Sequence, residues 1–323
     1  MQIRLSNPRG FCAGVRMAID IVDEILDSMD ENENLYVFHE IVHNQHVVTR
    51  LKERGAIFVE NVADIPESSV VVFSAHGVSP DIKEQAKDRS LISIDATCPL
   101  VTKVHAEAIR YAKRGWQIIL IGHSNHQEVI GTYGEAPESI QIVETPEDIA
   151  HLQIIDPLKL VYLTQTTLSI DDAALIINAL KETFPEINAP PNDDICYATT
   201  NRQTAVREEA PDADLVLVVG SQNSSNSLRL TEIAIAAGTD SHLVDDVSNI
   251  DPNWLKGVDN ILLTAGASAP ERLVLEIINH LELNFDGTLI EESVVDEGMF
   301  FAMPSSLKNY LKNKEVTIEG KNQ

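Results

Sequence analysis

The chain has 323 residues, of which 24 are Lys or Arg and 50 are Asp or Glu, for a formal net charge of −26. So acidic a balance excludes the basic face that nucleic-acid binding needs. No apolar run approaches the ~18 residues of a membrane span, and none is expected.

The chain opens on MQIRLSNPRG, which reads as a strand and a turn. It has no basic n-region followed by an apolar h-region, so no secretory signal is expected and the location is read as cytoplasmic. Short apolar runs then recur as candidate strands: QIRLS, NLYVFHE, SVVVFSA, LISIDA, QIILIG, KLVYLTQ, DLVLVVG and NILLTAG. Between several of them lie amphipathic helical stretches such as KVHAEAIRYAKRG and LRLTEIAIAAG, each ending in Gly, a helix stop signal. Continuous apolar strands alternating with helices predict an α/β fold with mostly parallel sheets, covered on both faces.

Three cysteines, Cys12, Cys98 and Cys196, punctuate this pattern. An odd and sparse count does not suggest a disulfide framework. After each cysteine come two polar loops that follow strands, roughly 30 and roughly 70 residues further on. After Cys12 they hold His43 and His76; after Cys98, His126 and Thr166; after Cys196, Asn226 and Ser268. This recurrence predicts three similar α/β units, 1–96, 97–193 and 194–281, with a tail, 282–323, packing back on the others. Ligands of open α/β sheets bind beyond the carboxyl ends of the strands. If the three units meet at those ends, the marked residues share one cavity.

Taken singly, each cysteine reads most simply as a buried core thiol, since free Cys is among the most buried residues. Equivalent positions in a repeat are harder to ascribe to packing. Thiols at helix starts are expected to ionise readily. Three thiolates can hold zinc with one open position, or an iron–sulfur cluster with one iron lacking a protein thiolate. Around them, Ser224, Ser225 and Asn226 open one helix and Ser268 lies at the start of another. Such residues are ordinary N-caps, and equally they are donors to a bound phosphate. His43, His76 and His126 can add further donors. Glu128, two residues after His126, is a candidate proton donor within an otherwise donor-rich site.

The segments NPRGFCAGV, HEIVHN, FSAHGVS, DATCPLVTKVH, GHSNHQEVIGT, TQTTLS, DDICYATTNRQ, GSQNSSNS and TAGASAP together resemble the 4-hydroxy-3-methylbut-2-enyl diphosphate reductase family, from Arg9 to about Pro304. That resemblance implies three α/β domains around a 4Fe–4S cluster held by Cys12, Cys98 and Cys196, with an open iron that takes the substrate's hydroxyl oxygen. It implies that His43, His76, His126, Ser224, Ser225, Asn226 and Ser268 bind the diphosphate. Glu128 would deliver protons, with His126 beside it, and Thr166 would support the bound hydroxyl group. Gln127 stands where the family usually has Pro. The reaction implied is reductive dehydroxylation to isopentenyl and dimethylallyl diphosphate, fed by a ferredoxin or flavodoxin. Such donors are usually acidic. Residues 1–120 hold 13 Lys/Arg and 17 Asp/Glu, the remainder 11 and 33, so a donor is expected over the first third. Lys103, Arg110, Lys113 and Arg114 are the candidate contacts, the last three on one helix face.

Overall fold

The computed structural model describes residues 1–30, 33–290 and 297–321. The chain starts with β1 (Gln2–Leu5) and α1 (Ala13–Ser28). A first sheet follows, built from β2 (Leu35–Phe38), β3 (Ala56–Val59), β4 (Val70–Phe73) and β5 (Ile92–Asp95), in the order β3-β2-β4-β5. Its helices are α2 (Gln45–Glu53) and α3 (Pro80–Asp88), and α4 (Pro99–Ala112) leads away from it. The second sheet is β7-β6-β8, with β6 at Gln117–Ile121, β7 at Ile140–Val143 and β8 at Leu160–Thr164. α5 (Gln127–Glu135) and α6 (Ile170–Thr183) accompany it, and α7 (Tyr197–Glu209) leaves it. The third sheet contains β9 (Leu215–Val219), β10 (Asp240–Val244) and β11 (Asn260–Ala265), with α8 (Ser225–Ala236) and α9 (Glu271–Phe285). After it come β12 (Thr288–Ile290) and α10 (Ser305–Lys321). Every pairing between these strands is parallel.

The central strands explain themselves. In β4, VVVF, and β9, LVLVV, every residue is buried. Alternate side chains point to opposite faces of a strand, so each sheet feeds two apolar layers. Leu35 and Val37 pack on one side of the first sheet, with α1; Tyr36 and Phe38 pack on the other. Ile119 and Ile121 oppose Ile118 and Leu120 in the second sheet, and Leu217 opposes Val216 and Val218 in the third. At about 1.5–3 kcal/mol for each fully buried aliphatic side chain, these layers hold each sheet to its helices. Among the described residues, no apolar cluster contains strands of two different sheets.

One strand departs from chain order. β1, expected beside the strands that follow it, pairs instead with β11 and β12, so the third sheet runs β10-β9-β11-β1-β12. The consequence is a shift in how the repeat is grouped. Each cysteine follows a strand or bridge of one sheet and caps a helix packed on the next. Cys12 follows β1 of the third sheet, while α1 packs on the first. Cys98 follows β5 of the first, while α4 packs on the second. Cys196 follows Asn188, bridged to β8 of the second, while α7 packs on the third. The backbone repeats three times as well. Cys12 N–H donates to Ala267 O (3.1 Å), Cys98 N–H to Ala75 O (3.0 Å) and Cys196 N–H to Thr166 O (3.1 Å). The cysteines therefore mark the seams between units. After β12 the chain crosses to the first sheet, where Leu307 and Tyr310 of α10 are buried beside α1.

Candidate active site

Each cysteine is a helix N-cap, of α1, α4 and α7 respectively. Cys12 Sγ accepts from Val15 N (3.5 Å), and Cys196 Sγ from Thr199 N (3.4 Å). Cys98 is followed by Pro99, which suits a first helical turn because the missing N–H would be unpaired anyway. All three thiols line one cavity of about 90 Å³. The same cavity is lined by His43, His76, His126, Glu128, Thr166, Ser224, Ser225, Asn226 and Ser268. The twelve residues singled out in the sequence thus meet at one place, contributed by all three sheets.

The histidines come from loops after β2, β4 and β6. The His43 and His76 rings stack at 4.0 Å between centroids, and His126 stands edge-on to both, at 5.4 and 6.0 Å. Burial, with the neighbouring rings, pushes His76 well below its ordinary 6.5 and His126 down to about 3. Both are neutral near pH 7. His126 caps α5 by accepting Glu128 N–H at Nδ1 (3.2 Å). Its proton therefore sits on Nε2, which is left to donate. Gln127 takes the first helical position, and the turn forms there without a Pro.

Glu128 is buried and bound twice over by one residue. Thr166 N–H donates to Oε2 (2.9 Å), and Thr166 Oγ1 donates to the same carboxylate at 2.9–3.0 Å. These bonds favour the anion, yet desolvation outweighs them and the carboxyl titrates above its ordinary 4.5. Thr166 also accepts the Cys196 N–H, so carboxyl, hydroxyl and thiol are joined through one residue.

The donors of the third sheet crowd together. Ser224 Oγ caps α8, lies 3.4 Å from Ser268 Oγ and accepts from Ser227 Oγ at 3.0 Å. Asn226 Oδ1 accepts Ala267 N–H at 2.8 Å, while its Nδ2 is buried with no acceptor among the described residues. A buried amide N–H₂ without a partner is costly, and here Asn226 lines the same cavity as the thiols. Contacts also cross the seams: Ser268 Oγ donates to His43 O (2.9 Å), and Ser225 Oγ to Thr167 O (3.1 Å).

Several contributors were not legible in the sequence. Glu40 accepts from His43 Nδ1 (3.2 Å) and from Asn223 Nδ2 (2.7 Å), and the His43 bond holds its carboxyl below the usual range. Gln165 orients the His126 loop by accepting His123 N–H (3.1 Å). Both lie within quoted motifs, but nothing in their local pattern says which way they point. Gly14 lies one residue into α1 beyond Ala13, where a Cβ would stand 2.5 Å from Cys98 Sγ. Two seam loops approach this closely only because that side chain is missing.

Two sequence expectations change. Burial, not the helix terminus, dominates the thiols: Cys98 is pushed up to about 12, Cys196 to about 11, and Cys12 is raised as well. The basic stretch of α4 is also less unified than its spacing suggests. Lys103 donates to Asn192 O, Asp193 O and Asp194 Oδ1 rather than standing free. α4 ends at Ala112 with Lys113 as its C-cap, so Arg114 lies beyond the helix. At 1.5 Å per residue the far end of this stretch is roughly 20 Å along the helix from Cys98.

The donor set can be tested against a metal group. Among the described residues no three His, Cys, Asp or Glu side chains are placed to hold a single ion, whereas three cysteines do face one cavity. That arrangement suits thiolates on separate irons of a cluster, with further coordination left to the cavity side.

A family model described as LytB protein matches residues 3–282. A protein of Idiomarina loihiensis named 4-hydroxy-3-methylbut-2-enyl diphosphate reductase is 52% identical over 311 residues, covering 95% of this chain and 98% of its own. One of the same name from Rhodopirellula baltica is 52% identical over 310 residues, covering 96% and 97%. The solved structure of the E-1-hydroxy-2-methyl-but-2-enyl-4-diphosphate reductase from Plasmodium falciparum superposes with a TM-score of 0.90 at 43% identity, over 97% of this chain and 98% of that one. With a family model spanning most of its length and relatives matched almost end to end, the chain belongs to the LytB protein family.

Proposed function

We propose that the chain is an oxidoreductase that converts 4-hydroxy-3-methylbut-2-enyl diphosphate to isopentenyl and dimethylallyl diphosphate. In this reaction the C–O bond to the hydroxyl breaks and the oxygen leaves as water. Two electrons and two protons are consumed, one proton by the departing oxygen and one by the allylic carbon. Cys12, Cys98 and Cys196 would hold a 4Fe–4S cluster, which when bound would pass on the donor's two electrons and offer an open Lewis-acidic iron.

The protein's own side chains divide the remaining work. Neutral His76 and His126 donate to the diphosphate without the desolvation cost of a buried cation. Ser224, Ser225, Asn226 and Ser268 add hydroxyl and amide donors, aided by the N-terminus of α8. Thr166 Oγ1 bridges the Glu128 carboxyl and the substrate hydroxyl. Glu128, whose proton affinity burial raises, supplies the proton. The observation that carries this reading is a single cavity joining three thiols, a carboxyl of raised pKa and the unpaired Asn226 Nδ2.

The electron donor would be a ferredoxin or flavodoxin. Among the described residues no helix is long and apolar enough to cross a membrane, and the three free thiols suit a reducing cytoplasm. Anaerobic turnover of the hydroxy-diphosphate with a chemical reductant is the test. Brown protein that yields both isomeric diphosphates is expected. Colourless, zinc-loaded protein, or iron-loaded protein without turnover, overturns the reading.

A further inference from the structure

The largest fully buried side chain among the described residues is a charged one, Arg202, at 1% exposure. It lies on α7, six residues after Cys196, and points back toward the seam between the third and first units. Nη2 donates to Gly10 O (2.8 Å), two residues before Cys12. Nη1 donates to Ala198 O (2.9 Å), two residues after Cys196. The same fork meets the Glu297 carboxylate in bidentate fashion, at 3.2 Å to Oε1 and 3.1 Å to Oε2, and Asn201 Nδ2 holds Oε1 at 2.9 Å. A second tie runs parallel to it: Ala13 N–H donates to Tyr197 OH at 3.1 Å. The Cys98 helix is tied differently, by Lys103, which donates to Asn192 O, Asp193 O and Asp194 Oδ1 just before Cys196.

An arginine this buried is costly unless something needs it. Packing alone does not call for a guanidinium here, and the catalytic groups do not touch it. What it touches is the backbone flanking two of the three thiols, together with a carboxylate from the segment that follows β12. We infer that Arg202 is a positioning residue for the metal centre, pinning the Cys12 loop to the Cys196 helix, and that Glu297 sets how much of its positive charge the centre feels. This rests on the proposed assignment of the cysteines as cluster ligands.

The physics is that of an outer-shell partner. Groups bonded to the loops that carry metal ligands fix those ligands' positions, and their loss typically costs about 10–100-fold in metal affinity. Cluster potentials respond to net charge, hydrogen bonding and burial nearby. A fixed cation favours the reduced, more negative cluster and raises its potential; Glu297 opposes that. The C-terminal segment thereby acts on the metal centre without entering the cavity.

The test uses the full chain, loaded anaerobically, with cluster potential and iron retention as readouts. Glu297→Gln keeps the guanidinium bonds to Gly10 and Ala198 but removes one negative charge. Its midpoint potential should move positive while its iron content stays at the wild-type level. The double variant Arg202→Met with Glu297→Gln leaves no buried charge unpaired and so should fold. It should lose iron to a chelator about 10-fold faster than wild type or more. A role confined to core packing lowers thermal stability without moving the potential. A wild-type potential in Glu297→Gln, or wild-type iron retention in the double variant, overturns the inference. Should the wild-type chain itself take up no cluster, the cysteine assignment fails instead.

Discussion

Glu128 shows how one residue is given two opposed environments. Thr166 offers it two donors, which favour the carboxylate, and the surrounding burial favours the acid. Burial outweighs the two donors and raises the carboxyl's proton affinity. Glu128→Gln should keep its shape and the metal but lower turnover by about 10²–10⁴; a loss of a few-fold would leave Glu128 with a structural role only. The stability effect has a definite sign. With the folded pKa above the unfolded one, the native state favours the protonated acid. Its contribution is therefore greatest below pH 4.5 and declines as the pH rises through the folded value. Glu128→Gln removes that decline, so the variant should gain on wild type as the pH rises from 4.5 toward the folded value, as urea unfolding at several pH values will read. The histidines carry the complementary prediction. An anion seated between neutral His76 and His126 raises their proton affinity. Inorganic diphosphate should therefore bind with net proton uptake near pH 6, seen as a dependence of the calorimetric heat on buffer ionisation. Heats independent of buffer would contradict it.

Helix starts are the elements on which the site is built. α1, α4 and α7 begin at the cysteines, α5 at His126 and α8 at Ser224. The parallel sheets force this, because each strand's carboxyl end must turn into a helix's amino end. α8 seats most tightly. A Cβ on either Gly220 or Gly266 would overlap Ser227 Oγ, so the helix enters flush against the ends of β9 and β11. Ser224→Ala removes the cap bond to Ser227 N–H and the acceptor for Ser227 Oγ. It should cost about 1 kcal/mol of stability and weaken diphosphate binding together. Unchanged affinity would leave Ser224 as a cap alone.

Across the whole molecule, apolar layers bind each sheet to its own helices, while the units meet around the cavity through polar loop contacts. Glu40 with Asn223, Ser268 with His43 O and Ser225 with Thr167 O are three of these. A cavity of about 90 Å³ is well below the ~300 Å³ at which small-molecule sites usually begin. The substrate must therefore enter by parting contacts that are individually weak and remake with the ligand. Diphosphate should slow amide exchange in residues 40–44 and 221–226, where the parted contacts remake around it. Identical exchange with and without ligand would sink this account.

The sequence by itself determined the α/β class, because the apolar runs VVVF and LVLVV have no other stable setting. It also determined the order of chemical residues, because loops that follow strands carry their polar groups openly. Four strands escaped notice: β3, β7, β10 and β12. All four lie at sheet edges, where one side faces no partner strand, and a short or polar segment such as DSHLV suffices. Only the tertiary structure decided the rest. That β1 joins the third sheet, that burial overrides the helix terminus at the thiols, and that Arg202 reaches Gly10 and Glu297 are all facts about groups distant along the chain. Local composition fixes a residue's intrinsic preference. The field, solvent and partners it meets depend on which seam it closes, and that is settled only when three sheets pack together.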